Sequence, residues 1–352
     1  MSNHRERRSD VLVRSELGDD QVYLTTDLPS VEYLTGFTGS NATLAIGPEW
    51  ALLITDGRYR DQAAAQCPDI EVIIDRNVSA ALSLTLPQPK VAIDDRASSA
   101  FISKLQEVGV FVTPAPDPVA ALRMCKDTLE IENLTRACYI TARALADTAA
   151  EIKIGQREVE VARRLELRFA ELGADDRAFP SIVASGPHSA IPHHQPGDRR
   201  LAVGDLLVID CGAKVNGYHA DMTRTFVVGA EPQPWQREIH ACVERAQQAG
   251  IDALSPGVAA SAIDVAVRSV IDDAGFGEAF IHGTGHGVGL QIHEAPMLSR
   301  ASTAELPENA VITVEPGIYL AGRGGVRIED SIVVAHPVQV LTDLERSLTR
   351  VG

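Results

Sequence analysis

Carboxylates and imidazoles gather in the last third of this sequence, each beside a glycine or inside an apolar run. His286 lies in His282-Gly-Thr-Gly-His286-Gly-Val-Gly289, with His293-Glu294 just after it. Glu315 lies in Val314-Glu315-Pro316-Gly317, and Glu329 in Arg327-Ile328-Glu329-Asp330. Upstream, Asp210 closes the apolar run Leu206-Leu-Val-Ile-Asp210, and Asp221 follows soon after. Four carboxylates with one or two nitrogen donors suit borderline-hard divalent ions such as Mn, Co, Fe or Zn rather than a thiolate zinc site. Two such ions roughly 3.5 Å apart lower the pKa of a shared water and clamp a developing oxyanion, which is machinery for hydrolysis. The glycine loop around His286 is no phosphate cradle. It lacks the Lys-Ser/Thr of a P-loop and the GxGxxG spacing of a dinucleotide fold.

The elements that must position these groups are legible around them. Leu206 to Asp210 reads as a strand, and Asn216-Gly217 is the strongest short hairpin signal. A four-residue loop at 214–217 sets Asp210 directly opposite Asp221. A two-residue Asn-Gly loop shifts the pairing by two and still leaves both side chains on one face. Two adjacent carboxylates repel and raise each other's pKa unless a cation lies between them. Glu329, an acid within the apolar run Val326–Val334, likewise needs a partner.

Residues 11–113 alternate short β-rich runs with helical ones. Val22–Thr25, Ala42–Ile46, Ala51–Ile54, Val72–Ile74 and Val91–Ile93 read as strands, and Tyr59–Gln66 and Ser98–Val108 as helices with one apolar stripe. Three prolines in Pro114-Ala-Pro-Asp-Pro118 forbid regular structure and mark a boundary region. Asp127 with Glu130 forms a capping-box signal for a long helix toward Lys153. Further helices are expected at Glu158–Leu172, closed by Gly173, at Gln233–Leu254 and at Ala260–Ala274. Strands are expected at Ser181–Ser185, Leu206–Cys211, Tyr218–Val228, Val311–Val314 and Val326–Val334. The expected domains are residues 1–122, an α/β unit, and residues 123–352, which carry the ligand set.

At 352 residues the chain exceeds one typical domain, and its 45% apolar content supports sizeable cores. A net charge of −16 argues against nucleic acid, which demands a basic face. Five scattered cysteines without a CxxC pair fit a reducing compartment. The polar N-terminus leads into no apolar signal core, and no run reaches the roughly 18–20 apolar residues of a membrane span. The expectation is a cytoplasmic protein without a membrane or nucleic-acid partner.

Further motifs join this set: Phe179-Pro-Ser-Ile-Val-Ala-Ser-Gly186, Pro192-His193-His194, Asp210-Cys-Gly212 and Gly217-Tyr-His-Ala-Asp221-Met-Thr-Arg-Thr-Phe226. With the His286 loop, Glu315-Pro-Gly and Arg327-Ile-Glu329-Asp330, they resemble the M24 metallopeptidases of the creatinase, prolidase and aminopeptidase P group. The similarity extends over nearly the whole chain. Tyr33-Leu-Thr-Gly-Phe-Thr-Gly-Ser40 and Thr55-Asp-Gly-Arg-Tyr59 look like the N-terminal domain of the Xaa-Pro subgroup. The resemblance implies an α+β protein, with a C-terminal pita-bread fold behind an N-terminal α/β creatinase-like domain.

It also implies roles. Asp210 would bind one metal, His286 and Glu315 the other, and Asp221 and Glu329 would bridge them. His193 matches a histidine that contacts the scissile carbonyl, and His293 a second one that contacts substrate and assists proton transfer. Arg327 matches an arginine near the bridging Glu, and Thr223 a partner of the metal carboxylates. The implied reaction is hydrolysis of the Xaa-Pro bond at the N-terminus of dipeptides or short peptides. A metal-bridging hydroxide attacks, His193 and His293 stabilise the oxyanion, and Glu315 shuttles the proton. Two divalent ions are implied, Mn foremost with Co, Zn or Fe as alternatives, together with a proline-containing substrate and a homodimer. His194, His219 and His282 match no ligand of the family, and His4, His188, His240 and His336 are assigned no role.

Prolidase and aminopeptidase P are not separated by these motifs. A creatinase-like amidinohydrolase lacks the complete metal set that is filled here, and a binding module that has lost catalysis loses ligands. Methionine aminopeptidases share the five-ligand core but usually lack the N-terminal domain.

Overall fold

Short aliphatic and β-branched runs bounded by Asp, Gly and Pro build the first unit's sheet. The structure, a computed structural model, describes residues 4–14, 22–86, 90–115 and 117–352. Cα packing divides the chain into Met1–Arg123 and Met124–Gly352. In the first unit a mixed six-stranded sheet runs in the order Glu71–Ile74, Trp50–Thr55, Ala42–Gly47, Val22–Thr25, Lys90–Ile93, Phe111–Pro114. Val22, Leu24, Leu52, Ile54, Leu82, Val91, Ile93 and Leu105 form a buried core beneath helices Val78–Thr85 and Ser99–Glu107.

The proline-rich stretch departs from expectation. Pro114 ends a strand, and Pro118 opens the helix Pro118–Met124. An edge strand tolerates a residue without an N–H, and the first helical position leaves that N–H unbonded anyway. Pro116 and Met1–Asn3 lie outside the described residues. Helices His4–Arg14 and Leu28–Thr35 carry polar or short patterns and were not expected.

The second unit alternates helix pairs with strands. Helix Thr128–Glu151 starts at a capping box in which Asp127 accepts from the Glu130 N–H and Glu130 accepts from the Asp127 N–H. Helix Glu158–Glu171 stops before Gly173, whose φ of +90° suits only glycine well. Helices Pro234–Asp252 and Ala260–Asp273 pack on one core with Ile312, Val314, Ile318, Val326, Ile328 and Ile332.

Two sheets carry the acidic groups. One runs in the order Thr349–Val351, Met222–Val228, Leu206–Cys211, Ile182–Ser185. The other runs Glu294–Leu298, Gly285–Gly287, Val311–Val314, Asp330–Val333, Gln339–Val340. The hairpin turns through two residues, Asn216 (φ 49°) and Gly217 (φ 84°), so Asp210 pairs with Thr223 rather than with Asp221.

Both strands expected to be continuous are broken. Tyr218–His219 and Met222–Val228 are separated at Ala220-Asp221, and Gly324–Arg327 and Asp330–Val333 at Ile328-Glu329. Tertiary bonds replace the ladder at these breaks. The Asp221 carbonyl accepts from the Ser331 hydroxyl (2.8 Å), and the Glu329 N–H donates to the Thr223 carbonyl (3.1 Å). An isolated Thr223–Glu329 bridge thereby ties the two sheets together.

Candidate metal centre

The strand breaks place two acids side by side with Asp210 and His286. Oxygens of Asp221 and Glu329 and a nitrogen of His286 lie within 4.8 Å of one another. Asp210, at the end of its strand, and Glu315, just after Val311–Val314, line the same cavity of about 600 Å³. Asp210, Asp221, His286 and Glu329 are buried, and Glu315 is half-buried.

Glycines flanking His286 let its strand fit tightly between neighbours. A Cβ at Gly285 would stand 2.0 Å from the Thr313 carbonyl oxygen, and one at Gly287 would stand 2.3 Å from that of Ala295. The imidazole has a defined tautomer. Its Nδ1–H donates to the Gly287 carbonyl (3.1 Å), which leaves the Nε2 lone pair free. Nε2 lies 3.6 Å from both Asp221 Oδ2 and Glu315 Oε1, too far for hydrogen bonds. Burial first, then the nearby His293, lowers the His286 pKa to about 4, so the ring is neutral at neutral pH.

Two of the acids, Asp210 and Glu329, turn one oxygen to a protein donor and leave the other bare. Asp210 Oδ2 accepts from Arg327 Nη2 (2.6 Å), and Glu329 Oε2 from the Thr223 hydroxyl (2.7 Å). That hydroxyl accepts in turn from Arg327 Nε (3.1 Å). Asp210 Oδ1, Asp221 Oδ1 and Glu329 Oε1 are buried with no hydrogen-bond partner. Burial, and after it repulsion among the acids, holds the Asp221 and Glu329 pKa values well above the carboxylate range. Burial and Asp210 push Glu315 up to about 8 against the pull of Arg327. Bare, convergent oxygens beside a neutral imidazole lone pair are a donor set for divalent cations.

The remaining expected residues line the mouth and wall of the cavity. His193 and His293 are exposed there, and the His293 ring meets His286 edge-on at 4.4 Å. Arg327 also donates to the Tyr319 hydroxyl (2.8 Å) and to the Pro192 carbonyl (3.3 Å). Tyr319 was not expected. Its hydroxyl donates to His282 Nε2 (2.8 Å), because Nδ1–H of that ring is committed to the Gly283 carbonyl. The sequence Gly-Ile-Tyr-Leu around it carries no signal of this role. Phe179, Pro180, Ile182, Pro192, Ile292 and Met297 give the cavity its apolar side.

Residues 132–336 match the model of metallopeptidase family M24, and residues 13–125 match the creatinase/prolidase N-terminal domain. The chain belongs to family M24. It is a metallopeptidase, with a creatinase-type N-terminal domain followed by a pita-bread domain. An Xaa-Pro dipeptidase from Pyrococcus furiosus is 45% identical over 66% of this chain and 67% of its own length. Among solved structures, an Xaa-Pro dipeptidase from Bacillus anthracis matches with a TM-score of 0.94 at 34% identity, covering 99% of this chain and 100% of that one. An X-Pro aminopeptidase from Thermotoga maritima gives 0.85 at 36% identity over 94% and 97%. M24 chemistry uses divalent metal ions, and the bare oxygens of Asp210, Asp221 and Glu329 fit that requirement. Among the described residues no helix is long and apolar enough to cross a membrane.

Proposed function

We propose that this M24 enzyme hydrolyses the Xaa-Pro bond at the N-terminus of dipeptides and short peptides. The observation that carries the reading is three bare carboxylate oxygens and a free imidazole nitrogen in a cavity whose other side is apolar. Asp210 would hold one divalent ion and His286 with Glu315 a second, with Asp221 and Glu329 available to both. Manganese is the first choice, with cobalt, zinc or iron compatible with the same donors. When bound, the ions supply a water of lowered pKa and a Lewis acid for the scissile carbonyl.

The chain's own residues do the rest. Arg327 orients Asp210, and Thr223 fixes Glu329. His193 and His293, at the cavity mouth, donate to the oxyanion as it develops. Glu315, at the cavity wall beside His286, carries a proton to the leaving imino nitrogen. The apolar wall of Phe179, Ile182, Ile292 and Met297 receives the proline ring. The relatives are named both dipeptidase and aminopeptidase, so the longer-peptide reading stands as the alternative. Free cysteines, four of them buried, fit a cytoplasmic enzyme.

The test strips the protein of metal, restores Mn²⁺, and assays an Xaa-Pro dipeptide, an Xaa-Pro-Xaa tripeptide and an Xaa-Ala control. Cleavage of the dipeptide alone identifies a prolidase, and cleavage of the tripeptide an aminopeptidase. Hydrolysis of neither, with metal bound, overturns the peptide reading.

A further inference from the structure

Glu158 is fully buried at the start of its helix, and its carboxylate gathers residues from a separate loop. Oε1 accepts from the Ser185 N–H (2.8 Å) and the Ser185 hydroxyl (2.7 Å). His188 Nδ1 stands 3.0 Å from Oε1 and 3.1 Å from Oε2. His194 Nε2 lies 2.9 Å from Oε2, and the Gly197 N–H reaches the same oxygen at 3.4 Å. The two imidazoles lie 4.2 Å apart, centroid to centroid. One carboxylate oxygen and two ring nitrogens, from three points of the chain, lie within 4.8 Å of one another.

Charge is the unusual feature. Among the described residues, neither Lys nor Arg hydrogen-bonds to this buried carboxylate. Arg199 comes as near as the Ser185 hydroxyl (2.5 Å), but its guanidinium is committed to Asp205 at 2.6 and 3.0 Å. A buried carboxylate is stable only with a compensating positive charge or a proton. Burial pushes the Glu158 pKa up, but hydrogen bonds from Ser185 and His194 together outweigh it and hold the group below its ordinary value.

We propose that Glu158, His188 and His194 form a further metal site, separate from the catalytic centre, that binds Zn²⁺. Two imidazoles and one carboxylate oxygen are a three-ligand zinc set. Each ring binds as the neutral tautomer, its proton moved to His188 Nε2 and to His194 Nδ1. Ser185 continues to satisfy Oε1 while Oε2 takes the ion. His188 is 36% exposed, so water completes the coordination. His194 follows His193 directly, so the ion clamps the segment that carries a residue of the cavity mouth.

The experiment uses the full chain loaded with Mn²⁺ and dialysed against buffered ZnCl₂, with both metals counted per chain by elemental analysis. His188→Ala and His188→Gln are the variants, because a partly exposed side chain is replaced without loss of the fold. The parent is expected to hold one metal equivalent more than either variant. In histidine-labelled protein, zinc is expected to shift the nitrogen resonances of His188 and His194. Equal counts and equal zinc affinity in parent and variants would overturn the site, leaving a hydrogen-bonded hub with one protonated imidazole. The His188-dependent equivalent stands whether or not Xaa-Pro peptides are cleaved, so failure of the peptidase reading is distinguishable from failure of this one.

Discussion

Glu329 and Asp330 are adjacent and equally buried, at 1% and 0% exposure, yet their carboxylates live in opposite regions. Asp330 points into a saturated network behind the centre. Its Oδ1 accepts from Arg224 Nη2 (2.7 Å) and the Thr342 hydroxyl (2.6 Å). Its Oδ2 accepts from Gln247 Nε2 (2.8 Å) and pairs with Arg346 Nε (2.8 Å). Glu329 points forward, takes one donor from Thr223, and leaves Oε1 bare. The same chemical group thus serves two ends. Where every lone pair meets a donor, the acid holds the fold, and where one does not, the acid awaits a cation.

The rear network also aims the front. Arg224 donates to the Thr223 and Glu329 carbonyls (2.9 and 2.7 Å) as well as to Asp330 and Leu344. Arg224→Met removes one of the two arginines on Asp330 and the donor to the Thr223, Glu329 and Leu344 carbonyls in the interior. It is expected to cost about 3–5 kcal/mol of stability, read by denaturant unfolding, the largest effect in this set. A loss below about 1 kcal/mol would mean that the rear network is not structural.

Thr223 joins the two regions. Thr223→Val keeps the shape but strips Glu329 Oε2 of its donor, leaving both oxygens bare. Metal affinity is expected to fall roughly 10- to 100-fold with little change in the metal-free fold. Calorimetric titration with Mn²⁺ checks this, and unchanged affinity would detach Thr223 from the centre.

Metal removal sharpens the contrast through pH. A carboxyl whose pKa is raised by folding holds its proton more tightly in the native state than in the unfolded one. Burial and neighbouring acids raise Asp221 and Glu329 in this way and carry Glu315 from 4.5 up to about 8. These three acids therefore contribute stability to the metal-free protein that is full at the acid end and is lost as pH rises through that window. Added Mn²⁺ is expected to lift Tm most at the alkaline end. Calorimetric scans across the window test the sign.

The smallest effect belongs to the surface. Arg164 pairs with Glu151 (2.8 Å) and Glu171 (3.3 Å) in contact with solvent. Arg164→Ala is expected to leave Tm and activity within error of the parent, since exposed ion pairs contribute little.

The sequence made the helices of the second unit legible because their signals are local: Asp127 with Glu130 at one end of a helix, Gly173 after another. It also named the acids of the centre, because a carboxylate inside an apolar run or beside a glycine is conspicuous. It did not show that two strands break at Asp221 and Glu329. The apolar alternation runs on through Asp221 and up to Glu329, and the bonds that replace the ladder come from Ser331 and Thr223, far along the chain. The Asp330 network was equally hidden, since Thr342 and Leu344 reach it from a segment with little regular structure. Glu158 marked only the start of an expected helix, and His188 and His194 were histidines that matched no ligand or were assigned no role. Only the folded loop brings those three together.

The decisive measurement compares the Tm of the parent and of Glu329→Gln, each without metal and with saturating Mn²⁺. An ion at about 100 times its Kd that binds only the native state stabilises by roughly 2.7 kcal/mol. The parent should show a large rise of that kind. At the alkaline end, where Glu329 ionises beside its acidic neighbours, Glu329→Gln should start higher without metal, and it should rise little when metal is added. Equal metal-induced shifts in both proteins would contradict the assignment of the bare oxygens to a cation centre.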